Sequence, residues 1–506
     1  MNENTPKIEK LSRTYRLPEC ILAWLTYLSA FLFCCVFPVG DAPLGGLFLS
    51  VFLYGGSAVL FVILKKKLRL YSVAVGLSAI LLSAVPVISA NGFLNFFAYT
   101  YTILTYAYFV YTVIGKKSFS SLLLLDYARA LFVLPFRSFR ALFGALFMGR
   151  GKGSGKIIGW VFLGVLLALV PTLVVGLLLS YDAGFTQLTD KIFRIEVGDL
   201  FTNLFRLVLA IPMGMAAFSI YVSADEGMGE ETVTVERLAD VRRSFRLLPA
   251  LTVLTAVIPL LFVYAVFFIS QWQYYVSGFT GVLPENFSYA EYAREGFFQL
   301  CAVSVINFVI ILVAALLIRR RDERPPMVLR IVTTVLSFCT LILISTAISK
   351  MVLYIDRFGL TRLRVYATWF MLLLAVLFIL AAVSMFVKRL KPVLVSVLVC
   401  LVFFSVLALS GPDALIAEYN VDRYLDGTLS DVDIGAMYEL GDSAVPAMVR
   451  LYENMPDTAD EKLKSQMADY LLSLQHEELP FFSFDLPSYR ANQALSRIFY
   501  LTDGKE

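Results

Sequence analysis

The chain has 506 residues, 59% of them hydrophobic and 16% charged, with a formal net charge of +4 and a mean hydropathy of +0.76. A soluble protein of this length could not cover that much apolar surface, so the composition specifies an all-α polytopic transmembrane helix bundle. The single histidine, His476, lies outside the apolar runs and so argues against a multi-histidine metal site or a histidine-based catalytic dyad within the membrane; no metal, cofactor or nucleic-acid partner is expected.

Residues 1–19 form a basic tail carrying Lys7, Lys10, Arg13 and Arg16. The apolar run that follows, 20–39, is too long for a signal-peptide core and lacks a small-residue cleavage site, so it reads as a retained first helix. Further runs cover 44–64, 70–90, 93–114, 157–180, 200–222, 247–270, 296–318, 327–349, 366–387 and 392–411, which makes about eleven spans in a transmembrane domain over 20–411. With the N-terminus in the cytoplasm, the inside segments hold 27 basic residues and the outside loops 7. That bias agrees with the positive-inside rule and leaves the C-terminus outside. The six cysteines (Cys20, Cys34, Cys35, Cys301, Cys339, Cys400) all fall in apolar runs without metal-ligand spacing and read as small core residues.

The loop 115–156 has eight basic residues against one acid, Asp126. Phe132, Phe136, Phe139, Phe143 and Phe147 recur every three or four positions among Arg129, Arg137 and Arg140. That pattern predicts a helix lying in the membrane interface, with the arginines near anionic lipid headgroups; protein docking is the alternative. Its end, Gly149 to Lys156, mimics a phosphate-binding loop but fails on spacing, because Arg150 occupies the first required glycine and Ile157 follows the lysine. Pro171, Pro212 and Pro259 sit near the middle of three successive spans and predict kinks. Gly155 with Gly159, and Ala210 with Gly214, predict close helix contacts. Tyr181-Asp-Ala-Gly-Phe185 and Tyr275-Val-Ser-Gly-Phe279 echo each other faintly after kinked spans.

Polar groups inside the spans are the candidates for a substrate cavity. Asp199, Asn203 and Arg206 share one helix face, and an arginine at that depth needs a partner or a watery cavity. Tyr101, Thr105, Tyr108 and Thr112 form a second stripe, with Asn95 above it; Ser304 and Asn307 lie deep in the eighth span. Interhelical bonding is the competing reading for all of them. No set of residues reads as catalytic.

An extracytoplasmic mouth gathers Glu291, Arg294, Glu295, Lys350, Arg357, Arg362 and Arg364. Ser288 and Glu291 have capping-box spacing, with Phe287 and Tyr292 as a hydrophobic staple, where a polar loop enters the span 296–318. Gly359 is a natural helix terminator and Thr361 a cap for the next span. The four basic residues of 350–364 are a positive surplus on the disfavoured side. Glu291 and Glu295, lipid phosphates or the C-terminal tail are the candidates to offset it.

That tail, 412–506, carries 18 acids and 7 bases, a net of −11, whereas residues 1–411 carry +15. Helical signals begin at Asp413, run from Asp431 to Leu440 with Gly441 as the stop, from Asp442 to Met455, from Asp460 to Leu474 and from Pro487 to Tyr500. They predict a soluble, acidic, extracytoplasmic helical domain of the kind that binds a protein partner.

Tyr289-Ala-Glu-Tyr-Ala-Arg-Glu-Gly-Phe-Phe298, Phe358-Gly-Leu-Thr-Arg-Leu-Arg-Val-Tyr366 and Pro412-Asp-Ala-Leu-Ile-Ala-Glu-Tyr-Asn-Val-Asp-Arg423 resemble signature segments of bacterial multipass membrane proteins, the domain-of-unknown-function families forty-one fifty-three and forty-one seventy-three. The resemblance covers roughly 260–450; residues before 250 match by hydropathy alone. It implies a bacterial cytoplasmic-membrane location and carries no activity or catalytic residue. Two functions are expected. The first is an envelope signalling or assembly scaffold whose acidic domain binds a partner. The second is a transporter or lipid-handling permease with a cavity at Tyr101, Tyr108, Asn203, Arg206 and Asn307. A membrane-embedded transferase ranks third, with the Glu291/Glu295 pair as its one feature.

Overall fold

The computed structural model describes residues 14–36, 42–114, 123–147, 175, 197–227, 248–270, 297–318, 326–387, 389–455, 461–474 and 480–503. Among them, regular structure is helical, and the one β-type pairing is an isolated bridge between Leu248 and Ile318. Among the described residues, nine helices are long and apolar enough to cross a membrane: Leu17–Cys35, Pro43–Ile63, Leu70–Ile88, Phe205–Asp225, Ala250–Ser270, Phe297–Leu317, Met327–Phe358, Arg362–Ser384 and Pro392–Leu409. They coincide with nine of the eleven expected runs. The run 93–114 is also a helix, Gly92–Ile114, whose tyrosines and threonines make it less apolar; the run 157–180 lies outside the described residues. The protein is a multipass membrane protein.

Its chain forms two compact units, residues Met1–Ala84 with Tyr99–Glu231, and Val85–Ala98 with Thr232–Glu506. In the first unit, the helix Leu17–Val36 packs along Val197–Asp225 and Pro43–Ile63. Small residues permit this: Ala30, Cys34 and Ala210 form one buried cluster. A Cβ on Gly214 would lie 3.1 Å from the backbone Cα of Tyr27. The close contact expected at Ala210 and Gly214 is therefore present, while Gly155, Gly159 and Pro171 lie outside the described residues, as do both Tyr-to-Phe echo segments. Pro212 and Pro259 sit inside continuous helices.

The segment expected to form one interfacial helix is divided into Leu123–Phe132, Leu134–Arg137 and Ala141–Phe147. Pro135 supplies the reason, since it lacks an N–H and is favoured in a first turn. The Leu134 carbonyl accepts from Ser219 Oγ at 2.8 Å and Ser223 Oγ at 3.1 Å, and the Ser138 N–H donates to Ser219 Oγ. Leu134, Leu142 and Ala145 are buried, whereas Phe132 and Phe136 are exposed, as are Arg137 and Arg140.

In the second unit, Ala250–Ser270, Phe297–Leu317, Met327–Phe358 and Arg362–Ser384 share a core of Phe297, Leu336, Leu343, Met371 and Phe378. Pro392–Leu409 lies against Arg362–Ser384, with Trp369 Nε1 donating to the Phe403 carbonyl at 3.0 Å. Beyond it come Pro412–Leu425, Ile434–Glu439, Val445–Asn454, Glu461–Ser473 and Leu486–Asp503. Asp433 caps the second of these by accepting from Ala436 N–H, and Gly441 ends that stretch at φ +61°. Val421, Met437, Met448, Leu451, Met467 and Leu495 fill their common core, onto which Leu360 and Val365 also pack. The helical signals in the tail thus correspond to helices. The cysteines are free; Cys34 is buried, but Cys400 is exposed, so it is not a core residue.

The helix pairing in the first unit has a direct test. Gly214→Val drives side-chain atoms into the Tyr27 backbone, and overpacking of this kind costs about 1–3 kcal/mol. The expected result is a lower melting temperature of the detergent-purified protein, with Gly214→Ala intermediate.

Candidate functional site

The most elaborate polar constellation gathers around Asp413, whose side chain is 1% exposed. Gly411, at φ +61°, turns the chain out of Pro392–Leu409, Pro412 starts the next helix, and Asp413 falls in its first turn. An isolated buried carboxylate is prohibitive, so it must be paired and hydrogen-bonded. Arg362 supplies a two-pronged contact, Nε to Oδ1 at 3.0 Å and Nη2 to Oδ2 at 2.6 Å. Asn91 Nδ2 adds 3.2 and 2.9 Å contacts to the same two oxygens and a 2.9 Å contact to the Tyr366 hydroxyl. Asn91 is placed by its own role as a cap: its Oδ1 accepts from the N–H groups of Phe93 and Leu94 at the start of Gly92–Ile114.

A second clamp lies two turns further along Pro412–Leu425. The Asn420 amide donates to the Leu360 carbonyl at 2.8 Å and accepts from the Leu360 N–H at 2.7 Å. Gly359, at φ +73°, makes room for it, because a Cβ there would lie 2.5 Å from Asn420 Oδ1. Gly359 therefore ends Met327–Phe358 as expected, and Thr361 caps Arg362–Ser384 by accepting from Arg364 N–H. Arg423 adds a 3.1 Å ion pair to Asp356.

The positive surplus at 350–364 is accounted for in parts. Arg362 is matched by Asp413, so the tail provides its counter-charge. Arg364 stacks on the Tyr354 ring at 4.2 Å and donates to the carbonyls of Phe358 and Gly359, groups left open at a helix C-terminus. Arg357 is exposed in the last turn of its helix and Lys350 is half-buried. Glu291, Arg294 and Glu295, with the capping box and staple around them, lie outside the described residues.

The cavity candidates are distributed over both units. Tyr101 and Tyr108 follow one helix: Tyr101 bonds Ser78 at 2.9 Å, and the Tyr108 ring lies 5.3 Å from that of Tyr127. Asn203 Oδ1 accepts from Arg206 Nη1 at 3.1 Å. Arg206 Nε is a buried nitrogen without a hydrogen-bond partner. In the second unit, Asn307 is fully buried, accepting from the Tyr264 hydroxyl at 2.6 Å and donating to Thr340 Oγ1 at 2.8 Å. This chain joins three helices. Among the described residues, no group of three or more His, Cys, Asp or Glu side chains is placed to hold a metal. Asn91, Asp413 and Asn420 were missed as site residues; a cap position beside Gly92, a Gly-Pro-Asp turn and an Asn on an amphipathic helix were the available signals.

A further polar cluster sits at the start of Leu486–Asp503. Asp485 Oδ1 accepts from Ser488 N–H at 2.8 Å, while Ser488 Oγ lies 2.9 Å from Asp485 Oδ2 and 2.7 Å from Asp442 Oδ2. One hydroxyl proton cannot serve two carboxylates at once. Burial pushes the Asp485 carboxyl above its ordinary range, the Ser488 hydrogen bonds pull it down, and Asp442 adds a smaller upward push. A small pocket beside it is lined by Ile88, Ala414, Glu418, Asp442, Leu486 and Arg490, among others.

Removing one partner of a buried pair costs about 3–5 kcal/mol, and the partial exposure of Arg362 argues for the lower end. Asp413→Ala and Arg362→Ala should each lower the melting temperature. The double variant should lose less than the sum, which a double-mutant cycle reads directly. Gly359→Ala should be as damaging as either. For Asp485, a folded-state pKa raised above the unfolded 3.8 means that the folded domain holds the proton more tightly. Its contribution to stability is then present at low pH and is lost as pH rises from about 4 through the folded value. Asp485→Asn retains the cap and should flatten that part of a melting-temperature profile across acid pH.

No curated protein and no solved structure matches the chain. A family model does, over residues 76–451, which starts far upstream of the 260–450 covered by the resembling segments and takes in Asn91, Arg362, Asp413 and Asn420. The chain belongs to the family described as Domain of unknown function (DUF4153).

Proposed function

We propose that this protein is a scaffold of the bacterial cytoplasmic membrane, with its N-terminus in the cytoplasm, whose acidic C-terminal domain binds a positively charged partner outside the cell membrane. The observation that carries this reading is the double clamp on Pro412–Leu425: Asp413 with Arg362 and Asn91, and Asn420 with the Leu360 peptide. A domain held by paired polar contacts along one helix transmits a partner's binding to the membrane helix that carries Arg362 and Tyr366. The net charge of −11 over 412–506 supports a cationic surface as the partner, through complementarity that steers encounter. Exposed Phe132 and Phe136, beside exposed Arg137 and Arg140 with Arg129 one turn earlier, support contact of 123–147 with anionic lipid headgroups on the cytoplasmic face. In-cell photo-crosslinking from the exposed positions Asp431 and Glu453 tests the partner. A discrete adduct is expected, and its absence from both positions together with a silent deletion of 412–506 overturns the reading. A reporter fused after Glu506 checks the side of the membrane.

A second reading has one observation in its favour. The unpartnered, buried Nε of Arg206 fits a hydrated cavity of a transporter or permease, since an intramembrane arginine calls for compensation. In a background without the six native cysteines, Asn203→Cys and Arg206→Cys should then react with a membrane-impermeant thiol reagent added outside. Protection of both positions favours the scaffold.

A further inference from the structure

The C-terminal domain leaves few large apolar side chains in the open, and they are not scattered. Among the described residues from 412 onward, the exposed large hydrophobic side chains are Leu415 at 52%, Phe481 at 66%, Phe482 at 59% and Tyr489 at 50%. Leu415 lies in the first turn of Pro412–Leu425, six residues after the membrane helix Pro392–Leu409 ends. The other three belong to the short turn Phe481–Ser483 and to the first turn of Leu486–Asp503.

These two places are close to one another and to the end of a span. Leu486 and Pro487 line one pocket together with Ala414, the neighbour of Leu415, and with Ile88, the last residue of the span Leu70–Ile88. Leu486–Asp503 also packs on Val85–Ile88. Phe481 is five residues before Leu486, a reach of at most about 17 Å for extended chain. The aromatic turn therefore lies within that reach of Leu486, which borders the same pocket as the end of a span. Its sequence, Pro480-Phe-Phe-Ser-Phe484, has no charged side chain, although the domain as a whole is strongly acidic. The Phe481 and Phe482 rings meet edge to face at 5.4 Å, and Phe484 packs on Tyr489 at 5.7 Å.

We propose that the turn Pro480–Phe484, with Tyr489 and Leu415, is a lipid-binding surface that inserts into the interfacial layer of the bilayer beside the ends of Leu70–Ile88 and Pro392–Leu409. Aromatic rings are favoured at that depth, where an apolar body meets acyl chains and a phenol stays wet. The absence of charge on the turn lets it enter without desolvating an ion, and the occupant is the zwitterionic or neutral interface rather than a specific headgroup. The surface gives the domain a second, lipid-mediated hold in addition to Arg362–Asp413, and it stands whether or not the domain binds a protein partner.

The test uses the full chain in proteoliposomes of phosphatidylcholine. Phe482→Cys, in a background without native cysteines, carries an environment-sensitive fluorophore, and Asp431→Cys carries the same label as an aqueous reference. The 482 label is expected to emit further to the blue, to be quenched by a nitroxide near the lipid headgroup more than by one deep in the acyl chains, and to resist aqueous iodide several-fold better than the 431 label. Phe482→Trp, in a background where Trp24, Trp160, Trp272 and Trp369 are replaced by Phe, keeps an aromatic ring and should be quenched by brominated lipids. Iodide quenching of position 482 equal to that of 431, with no lipid quenching in either variant, overturns the proposal and leaves the aromatic turn to a protein partner.

Discussion

The second unit places one carboxylate, that of Asp413, where water cannot reach it and must pair it with the chain's own groups. Asp413 is stabilised from three directions: the Arg362 fork, the Asn91 amide and the amino end of its own helix, where the backbone favours negative charge. Arg362 has the opposite problem. It is the first residue of Arg362–Ser384, the end at which a helix disfavours a cation. Each group is poorly placed by itself and well placed beside the other. That mutual requirement ties the exit from one membrane helix to the entry of another, and Asn91 brings in a third helix by capping it.

Local chemistry was legible in the sequence. Within the described residues the apolar runs of bilayer length are helices, Gly359 and Thr361 end one helix and begin the next, and Gly441 stops a helix in the tail, because each depends on a few neighbouring residues. The helical character of 123–147 was legible in its periodicity but its continuity was not, since the phenylalanine period ran through Pro135 as if it were any other residue. The partner of Arg362 was the least legible element. Asp413 is 51 residues away in sequence, and the abrupt change of charge at 412 made the tail look like a separate body. Periodicity ranks residues along one helix and says nothing about which helices meet. For Arg364, the missing idea was that negative charge can be supplied by open carbonyls at a helix end as well as by acids.

Inside the spans the same rule operates without formal charges. Asn307 would leave donors and acceptors unpaired in hydrocarbon, at a cost of several kcal/mol. The chain Tyr264–Asn307–Thr340–Leu336 carbonyl satisfies them by crossing between helices. Each member has one partner fixed by the next, so the chain specifies how Ala250–Ser270, Phe297–Leu317 and Met327–Phe358 register against each other. Arg206 differs in kind: its contact to Asn203 is to a residue on its own helix face and leaves Nε unmatched. A structural network closes on itself, and Arg206 does not, a trait it shares with Asn95, whose Oδ1 is likewise buried without a hydrogen-bond partner.

The two segments that resemble the family signature and lie within the described residues, 358–366 and 412–423, contain the interlocking groups: Gly359, Arg362, Arg364 and Tyr366 on one side, Asp413, Asn420 and Arg423 on the other. None of these side chains is arranged as a nucleophile with a base or as a metal ligand set. They turn chains, fill one another's hydrogen bonds and hold Pro412–Leu425 against the start of Arg362–Ser384. What the resemblance detects in these segments is thus a joint. A joint built at this cost in buried charge makes sense where the position of the domain relative to its membrane helices matters to whatever the domain touches, which is why the reading as a scaffold rests on the clamp and not on the acidic surface alone.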